Sequence, residues 1–126
     1  FWVDVVGGLT LEFLTAHLHT ATDRSRIPLS LVALDGERLL GTVNLIENDD
    51  KSRSHLRPWL AAMVVVADQR GRGVGSRLVN ALLDEARRLQ IPVLYFGTDV
   101  PGFYRRLGAI PHEQVTETFS IMRFEL

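Results

Sequence analysis

Residues 64–79 read VVVADQRGRGVGSRLV, a β-branched run that passes into a turn with glycines at 71, 73 and 75 and then into an amphipathic pattern. Glycine loses more conformational entropy on folding than any other residue, so this density predicts a backbone that must take positive φ or lie against a ligand. A strand feeding a glycine turn and then a helix aims unpaired N–H groups, and the positive end of the helix dipole, at whatever sits above the turn. An anion fits there; the rival reading is a tight strand-to-helix turn with no ligand at all.

The flanking sequence extends this unit in both directions. PWLAAMVVVA (58–67) is continuously apolar without alternation, which predicts a central strand buried on both faces. After the glycines, Val74, Leu78, Val79, Leu82, Leu83, Ala86 and Leu89 form one helical stripe, with Arg77, Asp84, Glu85, Arg87 and Arg88 off it. Pro92 then opens VLYFG, a second buried strand, so residues 59–97 read as a strand-helix-strand unit with parallel strands and a right-handed crossover. Upstream, PLSLVAL, DGER and LLGTVNLI (28–46) predict an antiparallel hairpin about an Asp-Gly turn, and 47–57 a polar surface loop. Thr10 as N-cap, with Leu11, Leu14, Leu18 and Ala21 at helical spacing, predicts a helix over 10–22. Downstream, PGFYRRLG reads as a short helix closed by Gly108, and 113–126 as one or two final strands. The expected fold is mixed α/β, a strongly twisted sheet with helices on both faces, in one domain over 1–126.

Composition narrows the chemistry. The 126 residues are 46% hydrophobic and 23% charged, which is ordinary for a globular chain. A formal charge of -1 and no basic block give no footing for nucleic acid. The absence of cysteine excludes disulfides, thiol nucleophiles and thiolate zinc sites. His17 and His19 would face different ways on a helix, and His55 and His112 stand alone, so no metal is expected. The longest apolar run, Trp59–Ala67, is far short of the ~20 residues a spanning helix needs, so the chain reads as soluble, with no membrane partner and the cytoplasm as its expected setting. The sequence starts at Phe1 without a methionine, which leaves open what precedes it.

Three phosphate motifs can be tested on the letters. A P-loop needs Gly-x4-Gly-Lys-Ser/Thr, and Lys51 is the only lysine. The dinucleotide fingerprint Gly-x-Gly-x-x-Gly fails as well, since Gly71, Gly73 and Gly75 are followed by Ser76 and Arg77. Arg-x-x-Gly-x-Gly at Arg70, Gly73 and Gly75 does fit, between a buried strand and an amphipathic helix. Here the chain resembles the GCN5-related N-acetyltransferase (GNAT) family, whose Gln/Arg-x-x-Gly-x-Gly/Ala signature cradles the pyrophosphate of acetyl-CoA. GFYRRLGA (102–109) matches the family's late Tyr-x-x-x-Gly segment, LLGTVNL its early glycine-bearing strand, and the order agrees over roughly residues 29–126.

The resemblance implies an acyl-CoA N-acyltransferase-like fold and acetyl transfer to a primary amine by direct attack on the thioester, with acetyl-CoA as co-substrate. It implies that the pantetheine arm lies along Met63, Val64, Val65 and Val66, with that strand splayed from the one at 93–97. The diphosphate would then rest on backbone of Arg70, Gly71, Arg72, Gly73, Val74, Gly75 and Ser76. Arg70, Arg72 and Arg77 are either phosphate partners or a solvated face. Backbone N–H groups of 63–66 would donate to the oxyanion, and Tyr104 would protonate the departing thiolate, with core packing as its competing role. A proton acceptor is not visible on WLAAMVVV, which leaves water relayed to Glu47, Asp49, Asp50 or His55. Trp59 is a buried anchor or a wall of the acceptor pocket. The acceptor, a small-molecule or peptide amine, is not encoded in any motif, and a homodimer stays open. Two rivals remain: a non-catalytic CoA-binding regulatory module of the same fold, and an interaction domain that binds no nucleotide.

Overall fold

The computed structural model describes residues 2–6, 9–14, 27–36 and 38–126, the first two stretches as backbone strands. Eight strands form one sheet: β1 (Trp2–Val6), β2 (Leu9–Leu14), β3 (Leu29–Asp35), β4 (Arg38–Ile46), β5 (Trp59–Val65), β6 (Val93–Thr98), β7 (Ile110–Gln114) and β8 (Ser120–Glu125). Their order is β1-β2-β3-β4-β5-β6-β8-β7. Among the described strands only β5 and β6 pair in parallel, as the crossover through α1 (Val74–Arg88) requires. A second helix, α2 (Pro101–Arg105), follows β6.

The hairpin at 28–46 forms as the Asp-Gly turn predicts, with Gly36 at φ +63°. The stripe on α1 is buried from Val74 to Ala86, and each fully buried Val or Leu there contributes about 1.5–3 kcal/mol of transfer free energy. Glu85 departs from the expected outer face: it is 4% exposed and takes a 2.9 Å ion pair from Arg88 one turn on. α1 and α2 share one core with the sheet, which includes Phe96, Tyr104 and Phe124. The opposite face carries a smaller cluster of Leu56, Trp59 and Ile121, beneath the loop whose residues Lys51–Arg53 form a 3-10 turn. Trp59 is the anchor of that cluster, and its Nε1–H donates to Leu56 O at 2.6 Å.

The helix expected over 10–22 is corrected for its first part. Residues 9–14 form β2, paired with β3 from Thr10↔Leu34 to Leu14↔Ser30. The stretch LTLEFL also alternates with period two, and the ladder offered by β3 decides between the two periodicities. Residues 15–22 of that expected helix lie outside the described residues. Among the described residues no helix is long and apolar enough to cross a membrane.

Candidate active site

The continuous burial expected for PWLAAMVVVA holds only for Trp59, Leu60 and Ala61. Beyond them the ladder with β4 shifts register between Thr42↔Val64 and Asn44↔Ala61, and Ala62 takes a left-handed φ of +51°. This β-bulge costs of order 1 kcal/mol in backbone strain at a non-glycine residue. It is supported from β4: the Asn44 side-chain amide reaches the carbonyls of Ala61 and Ala62 at 3.4 Å each, and Asn44 is itself held by the Ser30 hydroxyl. The bulge reverses the facing of the strand, so Leu60 and Met63 both meet the α1 core.

β5 and β6 then diverge. Their parallel pairing comprises the register pair Trp59↔Tyr95, with Tyr95 N donating to Pro58 O at 3.0 Å. Val66 N donates to Leu40 O at 2.8 Å, so strand alternation turns the N–H and C=O groups of Met63 and Val65 away from β4 and into the splay. Val64 is 53% exposed there, unlike a two-sided core strand.

The glycine turn closes one end of the splay. Gly71 and Gly73 sit at φ +79° and +83°, and a Cβ at either would meet nothing within 4 Å, so backbone conformation is what requires glycine and the space above is open. Gly75 serves differently, since an ideal Cβ would lie 3.3 Å from Phe103 Cζ and 3.4 Å from Met63 Cε. The first intrahelical bond of α1 runs from Arg77 N to Gly73 O at 3.1 Å, which leaves the N–H groups of Val74, Gly75 and Ser76 without an intrahelical acceptor. Gly73 offers no side-chain cap.

These parts line a cleft of about 850 Å³. Of the residues singled out from the sequence, Met63, Val64, Val65, Arg70, Gly71 and the run Gly73–Ser76 line it, while Val66 and Arg72 do not. Arg70 donates from Nε to Val65 O at 3.2 Å, which holds its guanidinium across the cleft floor. The far wall comes from α2 and its flanks, and it adds Phe103 and a second cation, Arg106. Uncapped amides at the glycine turn, guanidiniums of Arg70 and Arg106 among the walls, and inward-facing peptide groups along an apolar strand suit a ligand with a phosphorylated head and an extended amide-bearing arm.

A second cavity of about 440 Å³ lies on the other side of Met63 and Val100, residues that border both spaces. Tyr104 lines it, only 7% exposed, its ring packed on Phe96 at 4.4 Å and Phe103 at 4.8 Å. Burial, with a smaller effect from Asp99, raises its hydroxyl above the ordinary tyrosine pKa, so it is protonated at neutral pH. Of the four acidic or imidazole groups expected in the loop, only Asp49 reaches this cavity. Asp50 is turned into the loop, where it accepts from Ser52 and Arg53. Asp99 was not singled out from the sequence; its signal is its place just after β6, at the carboxyl end of a parallel strand where ligands collect. His112 packs edge-on to Tyr95 at 5.1 Å, and no cluster of metal-binding side chains occurs among the described residues.

A parallel pair pried open by a bulge, with an uncapped helix terminus at one end and a buried tyrosine at the other, defines a fold class of acyl-CoA acyltransferases. The sequence profile of the acetyltransferase (GNAT) family matches residues 6–109, and the chain belongs to that family. A curated relative, N-alpha-acetyltransferase 30 of Schizosaccharomyces pombe, is 32% identical over 84 residues, which cover 63% of this chain and 55% of that protein. The match thus spans little more than half the length of that relative. Among solved structures, an acyl-CoA N-acyltransferase from Pseudomonas aeruginosa has a TM-score of 0.63 at 25% identity, covering 77% of this chain and 67% of its own. Arabidopsis thaliana Naa50, in complex with the bisubstrate analogue CoA-Ac-MVNAL, shares the fold with a TM-score of 0.61 at 18% identity over 77% of this chain and 72% of its own.

Proposed function

We propose that this protein is an acetyl-CoA-dependent N-acetyltransferase that acts on a primary amine. The observation that carries the reading is the adjacency of the two spaces, which share Met63 and Val100 as wall residues, one with the character of a CoA site and the other holding a protonated tyrosine and two carboxylates. When bound, acetyl-CoA supplies an acetyl group already activated as a thioester.

The chain's own groups have three tasks. The N–H groups of Met63 and Val65 face the splay and are positioned to donate to charge that develops on the acyl oxygen. Asp49 or Asp99, directly or through water, takes up the proton that the ammonium must lose before it becomes a nucleophile. Tyr104 donates toward the sulfur. Full transfer from a tyrosine of ordinary pKa near 10 to a thiolate near 8.5 is uphill by about 2 kcal/mol, so its main effect is a hydrogen bond that strengthens as the thiolate forms.

In this reading the cofactor contacts are Met63, Val64, Val65, Arg70, Gly71, Gly73, Val74, Gly75 and Ser76, with Arg106 in the role first considered for Arg72. The rival of a CoA-binding module without turnover drew its support from a missing proton acceptor, and Asp49 and Asp99, which line the second cavity, are the candidates for that role. We assign the reaction to the cytoplasm, since a chain without cysteine draws nothing from an oxidising compartment. The test is release of CoA thiol from acetyl-CoA in the presence of an amine panel, alongside calorimetric binding of CoA. Binding without release on any amine would leave only the regulatory module, and neither would overturn the assignment.

A further inference from the structure

The second cavity has an uneven charge that the reaction alone does not require. Two carboxylates, Asp49 and Asp99, border it, and no Lys, Arg or His does among the described residues. One carboxylate suffices to accept a proton from the attacking amine. The lining also includes the apolar side chains of Ala62, Met63 and Phe119.

Each carboxylate is delivered by a built segment. Asp49 sits in a loop pinned from inside, where Asn48 Nδ2 donates to Arg53 O and Leu56 O at 3.1 and 3.0 Å and Asn48 Oδ1 accepts from Asp50 N at 3.0 Å. The loop is also tied to β7 by the Arg53–Glu113 pair. Asp99 lies between Thr98 and Val100, whose N–H donates to Thr98 Oγ1 at 2.9 Å. Phe119 is 39% exposed, yet it is not loose: its N–H donates to Thr116 Oγ1 at 3.0 Å, and its carbonyl accepts from Val115 N and Thr116 N. Its ring rests on Gly97, where any Cβ would collide with it. A second observation makes this a ligand site rather than an acidic patch. Tyr104 is more than nine-tenths buried, has no hydrogen-bond partner among the described residues, and lines the same space.

We propose that the acceptor is an aliphatic amine that carries a second positive charge and no carboxylate beside it, bound with its chain against Phe119 and its two cationic ends near Asp49 and Asp99. This rests on the N-acetyltransferase reading above. The transfer forms an amide N–C bond and breaks the thioester C–S bond. The ammonium nitrogen gives up two protons in all, one of which balances the thiolate as thiol while the other leaves through a carboxylate to solvent. Only one end of a dication reacts, so the other keeps its charge and its carboxylate throughout. A monoamine leaves one carboxylate unpaired, and an amino acid sets its own carboxylate against one of the two.

Three probes of similar length separate these cases: 1,4-diaminobutane, butylamine and 4-aminobutanoate. Calorimetry on the protein saturated with CoA reads acceptor binding without need of turnover, and acetyl-CoA turnover reads kcat/KM. The diamine should bind at least fivefold tighter than butylamine, with 4-aminobutanoate weakest, and its advantage should shrink as ionic strength rises. Asp49→Asn should bring the diamine-to-butylamine ratio close to one. Equal binding of diamine and butylamine, or the best turnover with 4-aminobutanoate, overturns the acceptor class while leaving N-acetyl transfer intact. Failure of CoA itself to bind would instead remove the underlying reading, and the acceptor class with it.

Discussion

Trp59 and Tyr95 form the parallel register pair at which β5 and β6 still touch, and the residues these strands bring to the site, Met63, Val64 and Val65 on one side and Asp99 on the other, follow it in the chain. An open splay leaves the N–H groups of Met63 and Val65 and the carbonyl of Met63 for a ligand to take up, while the Val65 carbonyl already accepts from Arg70. Acetyl-CoA at about 100 times its dissociation constant should therefore stabilise the fold by roughly 2.7 kcal/mol. ATP, which has phosphates but no arm to lie along β5, should do much less. Thermal denaturation with each ligand checks this, and equal shifts would count against the assigned site.

The glycines of the turn should fail in different ways when replaced. Gly73→Ala puts a side chain on a backbone at φ +83°, at a cost of about 1–2 kcal/mol in stability with open space around it. Gly75→Val meets Phe103 and Met63, the two sides of the cleft, so it should leave a folded protein whose CoA affinity falls at least tenfold. Circular dichroism with CoA calorimetry separates the outcomes. Normal affinity in the folded Gly75 variant would reduce this glycine to a packing residue.

How far these relationships were legible in the letters follows from their range. The turn, α1 and the hairpin are written in local patterns: positive-φ glycines, a stripe at 3.6-residue spacing, an Asp-Gly corner. The strand at Leu9–Leu14 was misread because LTLEFL satisfies both periods and only the ladder with β3 selects one. The bulge at Ala62 escaped for a related reason: alanine carries no sign of positive φ, and the conformation is held from β4 by Asn44. Arg106 and Asp99 were missed because a surface arginine or aspartate acquires meaning only when the fold brings α2 or the end of β6 to the cleft.

Arg53 fastens the loop that carries Asp49, so its loss should act on the acceptor and not on the cofactor. It donates to Glu113 at 3.0 and 2.6 Å and to Asp50 at 2.8 Å. Ser52 and Arg53 hold the Asp50 carboxyl below its usual range, and Arg53 does the same to Glu113. Carboxyls depressed by folding contribute above their unfolded pKa values and lose that contribution as pH falls through the folded ones. The clamp should thus be intact at pH 5–8 and released only below about pH 4. Arg53→Ala should raise the acceptor KM several-fold at pH 7 with CoA affinity unchanged, and the difference from wild type should close in acid. A CoA defect of equal size would place the effect in the core instead.

Tyr104→Phe removes one oxygen and leaves the ring contacts with Phe96 and Phe103 in place. The hydroxyl makes no hydrogen bond among the described residues, so its loss should change stability by less than about 1 kcal/mol. Its effect on chemistry should be far larger, about 10²-fold in kcat with acetyl-CoA affinity near normal, as expected for a donor that acts mainly in the transition state. Because folding raises the pKa of this group, it stays protonated through neutral pH, and an alkaline fall in activity below about pH 10 should survive in the variant as a property of another group. The folded-state preference for the protonated form also means that wild type alone loses this stabilisation as pH rises past the unfolded value near 10. Product release can mask the chemical step, so single-turnover kinetics is the deciding measurement. An unchanged single-turnover rate would leave Tyr104 as a core residue and the thiolate to be protonated by water.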